Sequence, residues 1–348
     1  MIDYNKFLIK ENNTIKNALF LLSNVGHDTI LFVVNDKNQL KGSITDGDIR
    51  RALLKGLTID DDFKDAVNIS PKFIREVDFS IDQVVEFRNN NITVFPVLDQ
   101  NDVIINIVNF RYKKSYLPVD VVIMAGGKGL RLKPLTDQIP KPLLKIKDKC
   151  IIDYSFDRLI DYGVKNFFIS VNYLGNLVEK HFEDRQILSV DTKIIYEDKP
   201  MGTIGSISKI KEFNNEYVLI TNSDILTNIN YEDFFIDFIK NEADMSVVSI
   251  PYDIDIPYAV IKTSKNIVKS FEEKPTYTYY SNGGIYLIKK HLLSKIPKNK
   301  FFDATDLMQA LLNENFKIIN YPLKDYWIDI GKHKDFKTAQ KDINRIKL

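Results

Sequence analysis

Gly126, Gly127 and Gly129 follow directly on the apolar run Val121-Val122-Ile123-Met124-Ala125. A buried strand that empties into a loop without side chains turns its backbone N–H groups toward an anion at close range. Lys128, Arg131 and Lys141 add positive charge around the same loop, which suits a phosphate. Two commoner phosphate loops do not fit. The P-loop ends Gly-Lys-Ser/Thr, whereas Gly127-Lys128 is followed by Gly129, and the dinucleotide pattern G-x-G-x-x-G is also unmet. Further on, Asp224 closes the buried run 217–223 and so stands at a strand end, where a metal that bridges nucleotide phosphates is held.

These groups need a scaffold, and the pattern from residue 118 onward supplies one. Apolar strands at 167–171, 193–196, 218–221 and 245–250 alternate with helical spacing at 151–159, 177–182 and 234–239. Such alternation predicts an α/β fold with a mostly parallel, Rossmann-like sheet, whose ligands bind at the carboxyl ends of the strands. The first third reads differently. Helix 14–22, strand 30–34, turn 35–38 and strand 40–44 recur as helix 80–87, strand 93–98, turn 99–102 and strand 103–108, an imperfect internal repeat. The stretch 110–118 breaks the periodicity, carries Arg111, Lys113 and Lys114, and ends in Pro118. It reads as a solvated connector between a module at 1–115 and one at 118–348.

Composition narrows the function classes. Lys and Arg total 48 against 47 Asp and Glu, a net charge of +1, so nothing points to nucleic acid or an anionic membrane as partner. No apolar run reaches membrane-spanning length, and the start carries Asp3 early without a long apolar stretch. The expectation is a cytoplasmic protein. Cys150 is the single cysteine and reads as a small buried hydrophobe. His27, His181, His291 and His333 form no i, i+4 pair and no cluster with cysteine in the sequence, so zinc and histidine-base chemistry are not expected.

The string Gly-Gly-x-Gly-x-Arg-Leu-x-Pro-Leu-Thr at 126–136, then Pro140-Lys141-Pro142-Leu143, resembles the signature of the sugar-1-phosphate nucleotidyltransferases. Later segments carry that resemblance through 118–348. Asp224 matches the family's strand-terminal metal aspartate, and Trp327-Ile328-Asp329-Ile330-Gly331 matches its Trp-x-Asp-x-Gly. The resemblance implies a GT-A-like catalytic domain in which Asp224 and Asp329 share Mg2+. It further implies that Ala125, Gly126, Gly127, Gly129 and Arg131 hold the nucleotide phosphates and that Lys141 draws charge from the attacked phosphate. Glu197 to Ser206, with Gly202 and Thr203, resembles the family's base-reading loop. Members that take uridine or thymidine triphosphates typically carry glutamine where Glu197 falls. A glutamate offers acceptors only, which suits N1–H and the exocyclic amine of guanine, so GTP is expected. Tyr258-Ala259-Val260, Glu273-Lys274-Pro275 and Asn282-Gly283-Gly284-Ile285-Tyr286 resemble the sugar-phosphate motifs. There Lys274 takes the phosphate, and Tyr258, Glu273 and Asn282 line the sugar. Ala259 replaces the usual glycine.

The N-terminal repeat resembles a pair of cystathionine-β-synthase (CBS) modules, small α+β units that often bind adenine nucleotides. Thr45-Asp46-Gly47-Asp48 matches the family's ligand element after the first repeat, whereas Val108-Asn109 stands in its place after the second. The other reading of Thr45, Asp46 and Asp48 is an N-cap on the helix that follows. Dimerisation, giving a homo-oligomer, is the first expectation for this module. Together the resemblances imply transfer of GMP from GTP to a sugar 1-phosphate. Glucosamine 1-phosphate for legionaminic acid synthesis comes first, with mannose, glucose or heptose 1-phosphate, or a uridylyl or thymidylyl transfer, as alternatives. A different class also stands: a non-catalytic nucleotide sensor.

Overall fold

Backbone hydrogen bonding reproduces the N-terminal repeat twice over. The computed structural model describes residues 4–76, 80–187 and 190–346. Its first unit, Met1–Leu117 with Asp161–Gly163, runs β1 (Leu8–Lys10), α1 (Ile15–Val25), β2 (Ile30–Val34), β3 (Leu40–Thr45), α2 (Asp46–Leu54), β4 (Ile74–Arg75), α3 (Ile81–Asn89), β5 (Val94–Leu98) and β6 (Ile104–Asn109). In each half a short strand pairs parallel to the middle strand, which pairs antiparallel to the last. Both antiparallel pairs slip register at the same place, between Val33 and Val34 and between Val97 and Leu98. The two turns also pair reciprocally: Leu40 N donates to Asp102 O at 2.9 Å and Ile104 N to Asn38 O at 3.1 Å. That exchange between equivalent positions is the mark of an internal two-fold. Helix α1 buries Ile15, Ala18, Leu22 and Val25 on one face, the spacing expected of an amphipathic helix.

The second unit, Pro118–Ile160 with Val164–Leu348, contains β7 (Val119–Met124), β8 (Lys145–Ile146), β9 (Lys149–Cys150), α4 (Ile151–Asp161), β10 (Asn166–Val171), α5 (Gly175–Asp184), β11 (Asp191–Tyr196), β12 (Tyr217–Asn222), β13 (Ile225–Thr227), α6 (Tyr231–Lys240), β14 (Met245–Asp255), β15 (Val260–Ser264), β16 (Ile267–Glu272), β17 (Thr276–Lys289), α7 (Ala304–Asn313), β18 (Ile318–Pro322), β19 (Trp327–Asp329) and α8 (His333–Asp342). Seven strands form one sheet in the order β11-β10-β7-β12-β17-β14-β18. Only β17 runs against its neighbours. Strands β10 and β11 lie on one side of β7 and β12 on the other. The order therefore reverses at β7, and a crevice opens beyond the carboxyl ends of β7 and β12. Strand β7 is buried along Val119–Ile123 on both faces. Its one charge, Asp120, accepts hydrogen bonds from Asn166 Nδ2 at 3.0 Å, Asn215 N at 3.1 Å and Asn215 Nδ2 at 2.6 Å, so the buried carboxylate is satisfied. Among the described residues no helix is long and apolar enough to cross a membrane.

Three expectations change. The connector is not solvated throughout, because Ser115, Tyr116 and Leu117 are buried and Leu117 N donates to Tyr162 O. The apolar Tyr116 and Leu117 outweigh the basic run before them. The strand expected at 245–250 runs on to Asp255 as β14, paired with the outer half of β17, which contains Asn282 and Gly283. Finally, the fold gathers Cys150, Asp153 and His181, whose ligating atoms lie within 4.8 Å of one another. Asp153 accepts from His181 Nε2 at 2.8 Å and is ion-paired with Arg185. Burial, then the charge of Asp153, pushes the Cys150 thiol up. Burial works against ionisation of Asp153 as well, yet the His181 hydrogen bond and the Arg185 charge outweigh it and hold the carboxyl low. The cluster therefore ties α4 to α5 as an ion network.

A carboxyl whose folded pKa is depressed stabilises the fold above its unfolded value of about 3.9 and loses that contribution as pH falls through the folded value. Asp153→Asn is expected to lower stability at pH 7 by on the order of 2 kcal/mol. The gap to the parent should close below about pH 4, read by thermal unfolding from pH 7 to pH 2.

Candidate active site

The glycine loop leaves β7 with its amides open. Among the described residues no group accepts a hydrogen bond from the N–H of Gly126, Gly127, Lys128 or Gly129. Successive free amides in a tight turn form an anion-binding concavity. Two of the glycines sit in crowded places. A Cβ at Gly126 would stand 2.8 Å from Glu197 Oε1, and at Gly129, where φ is +61°, it would stand 2.9 Å from Thr136 Cγ2. The far side of the loop is tied down by Thr136 Oγ1, which donates to Gly129 O at 2.9 Å, and by the Tyr173 hydroxyl, which donates to Asp137 O at 3.0 Å.

Two acids meet beside it. Strand β12 delivers Asp224 two residues past its end. Strand β13 then pairs antiparallel with β19, placing Ile225 opposite Asp329, and Ile330 N donates to Asp224 O at 3.0 Å. Lys141 sits in a short 3-10 helix, Lys141–Leu143, with Pro140 before it and Pro142 inside it. Its ammonium is ion-paired with Asp224 and lies 3.8 Å from Asp329 Oδ1. Burial first, then the charge of Asp224, pushes Asp329 above the usual carboxylate range; Lys141 and Arg131 only partly offset this. Asp329 Oδ1 is buried without a hydrogen-bond partner among the described residues, although the side chain as a whole is 44% exposed. One oxygen is therefore sequestered and the rest of the group is open.

The cleft they border encloses about 630 Å3, and it is lined by Gly126, Gly127, Gly129, Arg131, Lys141, Glu197, Gly202, Thr203 and Asp224 among the residues singled out from sequence. Asp329 adjoins it through Lys141 and Asp224. Glu197 accepts from Ser170 Oγ at 2.9 Å and from Met201 N at 3.3 Å. Burial pushes its carboxyl up, partly countered by these bonds. Gly202 has φ +78°, and a Cβ there would lie 2.6 Å from Phe302 O. Thr203 lines the cleft but its polar atoms cap α7: its amide donates to Asp303 and its hydroxyl accepts from Ala304 N.

Other residues sit elsewhere. Ala125 is buried behind the loop, its amide donated to Ser170 O. Tyr258, Glu273, Lys274 and Asn282 are exposed and do not line the cleft. The extended β14–β17 ribbon carries the first three, and Asn282 Nδ2 donates to the Tyr286 hydroxyl at 2.8 Å. In the first unit Thr45 Oγ1 accepts from Asp48 N at 3.2 Å, Asp48 accepts from Thr45 N at 2.9 Å, and Asp46 is ion-paired with Arg50. Thr45 and Asp48 thus form the capping box of α2, and Asp46 pairs along the helix surface. Asn172, Asn222 and Phe301 also line the cleft without having been singled out. The two asparagines stand at the carboxyl ends of β10 and β12, a position that marks them for ligand contact; Phe301 carries no comparable signal.

The sequence model of the CBS domain matches residues 3–55, the first of the two repeats. The mannose-1-phosphate guanyltransferase beta-A of Xenopus laevis is 27% identical over 227 residues, which are 63% of this chain and 62% of that protein. The chain thus spans under two thirds of the length of that curated relative. The D-glycero-alpha-D-manno-heptose 1-phosphate guanylyltransferase of Campylobacter jejuni is 29% identical over 63% of this chain and 97% of its own. Among solved structures, HddC from Yersinia pseudotuberculosis complexed with GMP-PN is 26% identical and aligns with a TM-score of 0.51 over 65% of this chain and 99% of that one. The sequence model of the nucleotidyl transferase family matches residues 120–346, the glycine loop, Lys141 and both acids included, and the chain belongs to that family.

Proposed function

We propose that this chain transfers GMP from GTP to a sugar 1-phosphate and releases pyrophosphate. The observation that carries this reading is the meeting of Lys141, Asp224 and Asp329 at a cleft floored by unpartnered glycine amides. Those amides, with Lys128 and Arg131, suit a triphosphate tail. Glu197 supports guanine. A carboxylate has about four acceptor positions, and two are taken by Ser170 and Met201. The remainder match N1–H and the exocyclic amine, whereas the ring N–H of uracil or thymine lies between two carbonyls. The names of the Xenopus and Campylobacter relatives agree with GTP.

In the reaction an oxygen of the sugar phosphate attacks the α-phosphorus of GTP in line. The new O–P bond forms as the bond to the β-phosphate oxygen breaks, and pyrophosphate leaves with the electron pair. No covalent intermediate on the protein is needed, so catalysis consists of alignment and charge neutralisation. Arg131 and the loop amides hold the departing pyrophosphate. Lys141, fixed against both acids, keeps its positive charge at one point beside the attacked phosphate. Asp224 and Asp329 fit Mg2+: two neighbouring carboxylates, one with a buried oxygen that accepts no hydrogen bond among the described residues, are the hard oxygen donors that this ion takes. Bound there, it would neutralise phosphate charge. Glucosamine 1-phosphate, as a precursor for legionaminic acid, is the sugar proposed first because a repeat pair is fused ahead of the catalytic unit. Mannose and heptose 1-phosphates, named in the relatives, compete with it.

Pyrophosphate release measured with each nucleoside triphosphate against glucosamine, mannose, glucose and heptose 1-phosphates is expected to respond to GTP with one of these sugars; silence across the whole grid would sink the reading. Glu197→Gln is expected to lower kcat/KM for GTP by about tenfold or more and to narrow its lead over UTP. An unchanged GTP to UTP ratio would remove Glu197 from base reading. Asp329→Asn relieves the repulsion with Asp224, so without divalent cation its melting temperature should rise above the parent's, while the Mg2+ concentration for half-maximal activity increases. A lower melting temperature in chelator would contradict the assignment.

A further inference from the structure

One hydroxyl interrupts an apolar row on the sheet. Ser170 of β10 stands in register between Met124 of β7 and Ile195 of β11, both packed against the apolar cluster that contains Phe168, Ile204 and Ile207. Ser170 is 1% exposed, and a hydroxyl withdrawn from water costs free energy unless it is hydrogen-bonded. Its Oγ lies 2.9 Å from Glu197 Oε1 and 2.7 Å from the hydroxyl of Ser206. Ser206 is equally buried, in the short 3-10 helix Gly205–Lys209. A serine has one proton to give and a carboxylate only accepts. The Ser170 proton therefore goes to Glu197, and the Ser206 hydroxyl supplies the proton between the two serines. The main chain of Glu197 is tied to the same strand end: its amide donates to Val171 O at 2.9 Å and its carbonyl accepts from Asn172 Nδ2 at 2.9 Å.

The bonds to the carboxylate fall one on each oxygen, Ser170 on Oε1 and Met201 N on Oε2 at 3.3 Å. Each oxygen has about two acceptor positions, so each keeps one free. Two free positions side by side are what a pair of adjacent N–H donors requires. The terminal torsion of a glutamate is broad. Held at one oxygen the carboxylate turns; held at both, its plane is fixed. Gly126 and Glu197 both line the cleft, and a Cβ at Gly126 would stand 2.8 Å from Oε1, so glycine leaves that oxygen uncovered. Burial favours the neutral acid, which would present a proton to the base edge instead of an acceptor. Ser170 heads the groups that oppose it, ahead of the Met201 N–H, Lys209 and Ser206.

We propose that Ser170, backed by Ser206, is a positioning residue that fixes the Glu197 carboxylate in the plane of the base and so sets selection for a purine with two adjacent donors. The proposal rests on the reading above in which Glu197 reads guanine. Inosine triphosphate keeps N1–H and lacks the exocyclic amine. The ratio of kcat/KM for GTP to that for inosine triphosphate, taken with the sugar 1-phosphate that responds in the grid above, therefore measures the second contact. The parent is expected to favour GTP by about tenfold or more, and Ser170→Ala to cut that ratio to about threefold or less. Ser206→Ala should lower it by a smaller factor, and Ser170→Thr, which keeps the hydroxyl, should restore most of it. A serine that only fills space would, when replaced, lower turnover of both nucleotides in equal proportion. An unchanged ratio in Ser170→Ala thus overturns the proposal, and where that variant does not fold, an unchanged ratio in Ser206→Ala does so. These outcomes leave the guanine reading standing. A parent ratio near one shows instead that Glu197 does not read the amine, and both readings fall. Should the parent show no transfer, the same ratios are taken from the dissociation constants of the two nucleotides by calorimetry; failure to bind either overturns both.

Discussion

Lys141 lies almost out of solvent beneath the cleft, ion-paired with Asp224 and 3.8 Å from a second carboxylate. Removing an ammonium from such a place leaves two like charges facing each other in a partly desolvated site, which costs more than the pair itself contributes. Much of the surrounding backbone serves to hold these three groups. Pro140 and Pro142 restrict the short helix that carries Lys141, and β13 pairs with β19 to bring Asp329 alongside Asp224. The residual imbalance, a buried oxygen of Asp329 that accepts no hydrogen bond among the described residues, is the kind of local conflict that a fold tolerates where a ligand is to resolve it.

The cleft's other wall is built by crowding rather than charge. A Cβ at Gly126 would displace the Glu197 carboxylate, and a Cβ at Gly202 would meet the fixed Phe302 carbonyl. Thr203 and Asp303 cap α7 reciprocally, which anchors the loop after Glu197 to a helix. The loop after Glu197 is thus held by contacts on its outer side while its inner side lines the cleft. Rigid support behind an accessible surface is what binding without a large reorganisation requires.

Residues 251–282 obey a different logic. Tyr252, Ile254, Tyr277 and Tyr279 alternate with Asp253, Thr278 and Thr276 in ordinary strand patterning, and Tyr280, opposite Pro251, adds an exposed aromatic to the more polar side. Strand β7 is covered within the chain; the ribbon is not. The same rule that builds the core therefore marks a surface here, and the difference lies only in what is placed against it.

How much of this was legible before the fold was known depends on the range of the interaction involved. The tandem repeat, the strands and helices read between 151 and 250, the glycine loop and Asp224 follow from local properties, whereas Asp329 is reached through the family resemblance and the elements after residue 250 are not read this way. Apolar periodicity selects the element, glycines open the amides, and an acid that ends a buried run must lie at a strand's mouth. Thr45 and Asp48 are likewise local, and their capping of α2 was one of two readings that the residues allowed. The partnership of Cys150 with His181, the burial of Tyr116 and Leu117, and the absence of Lys274 from the cleft were not legible in this way. Asp224 and Asp329 meet because β13 and β19 exchange backbone hydrogen bonds across about a hundred residues of chain. Those N–H and C=O groups are the same in nearly every residue, so side-chain identities state what each segment prefers to be, and only the folded chain decides which segments touch.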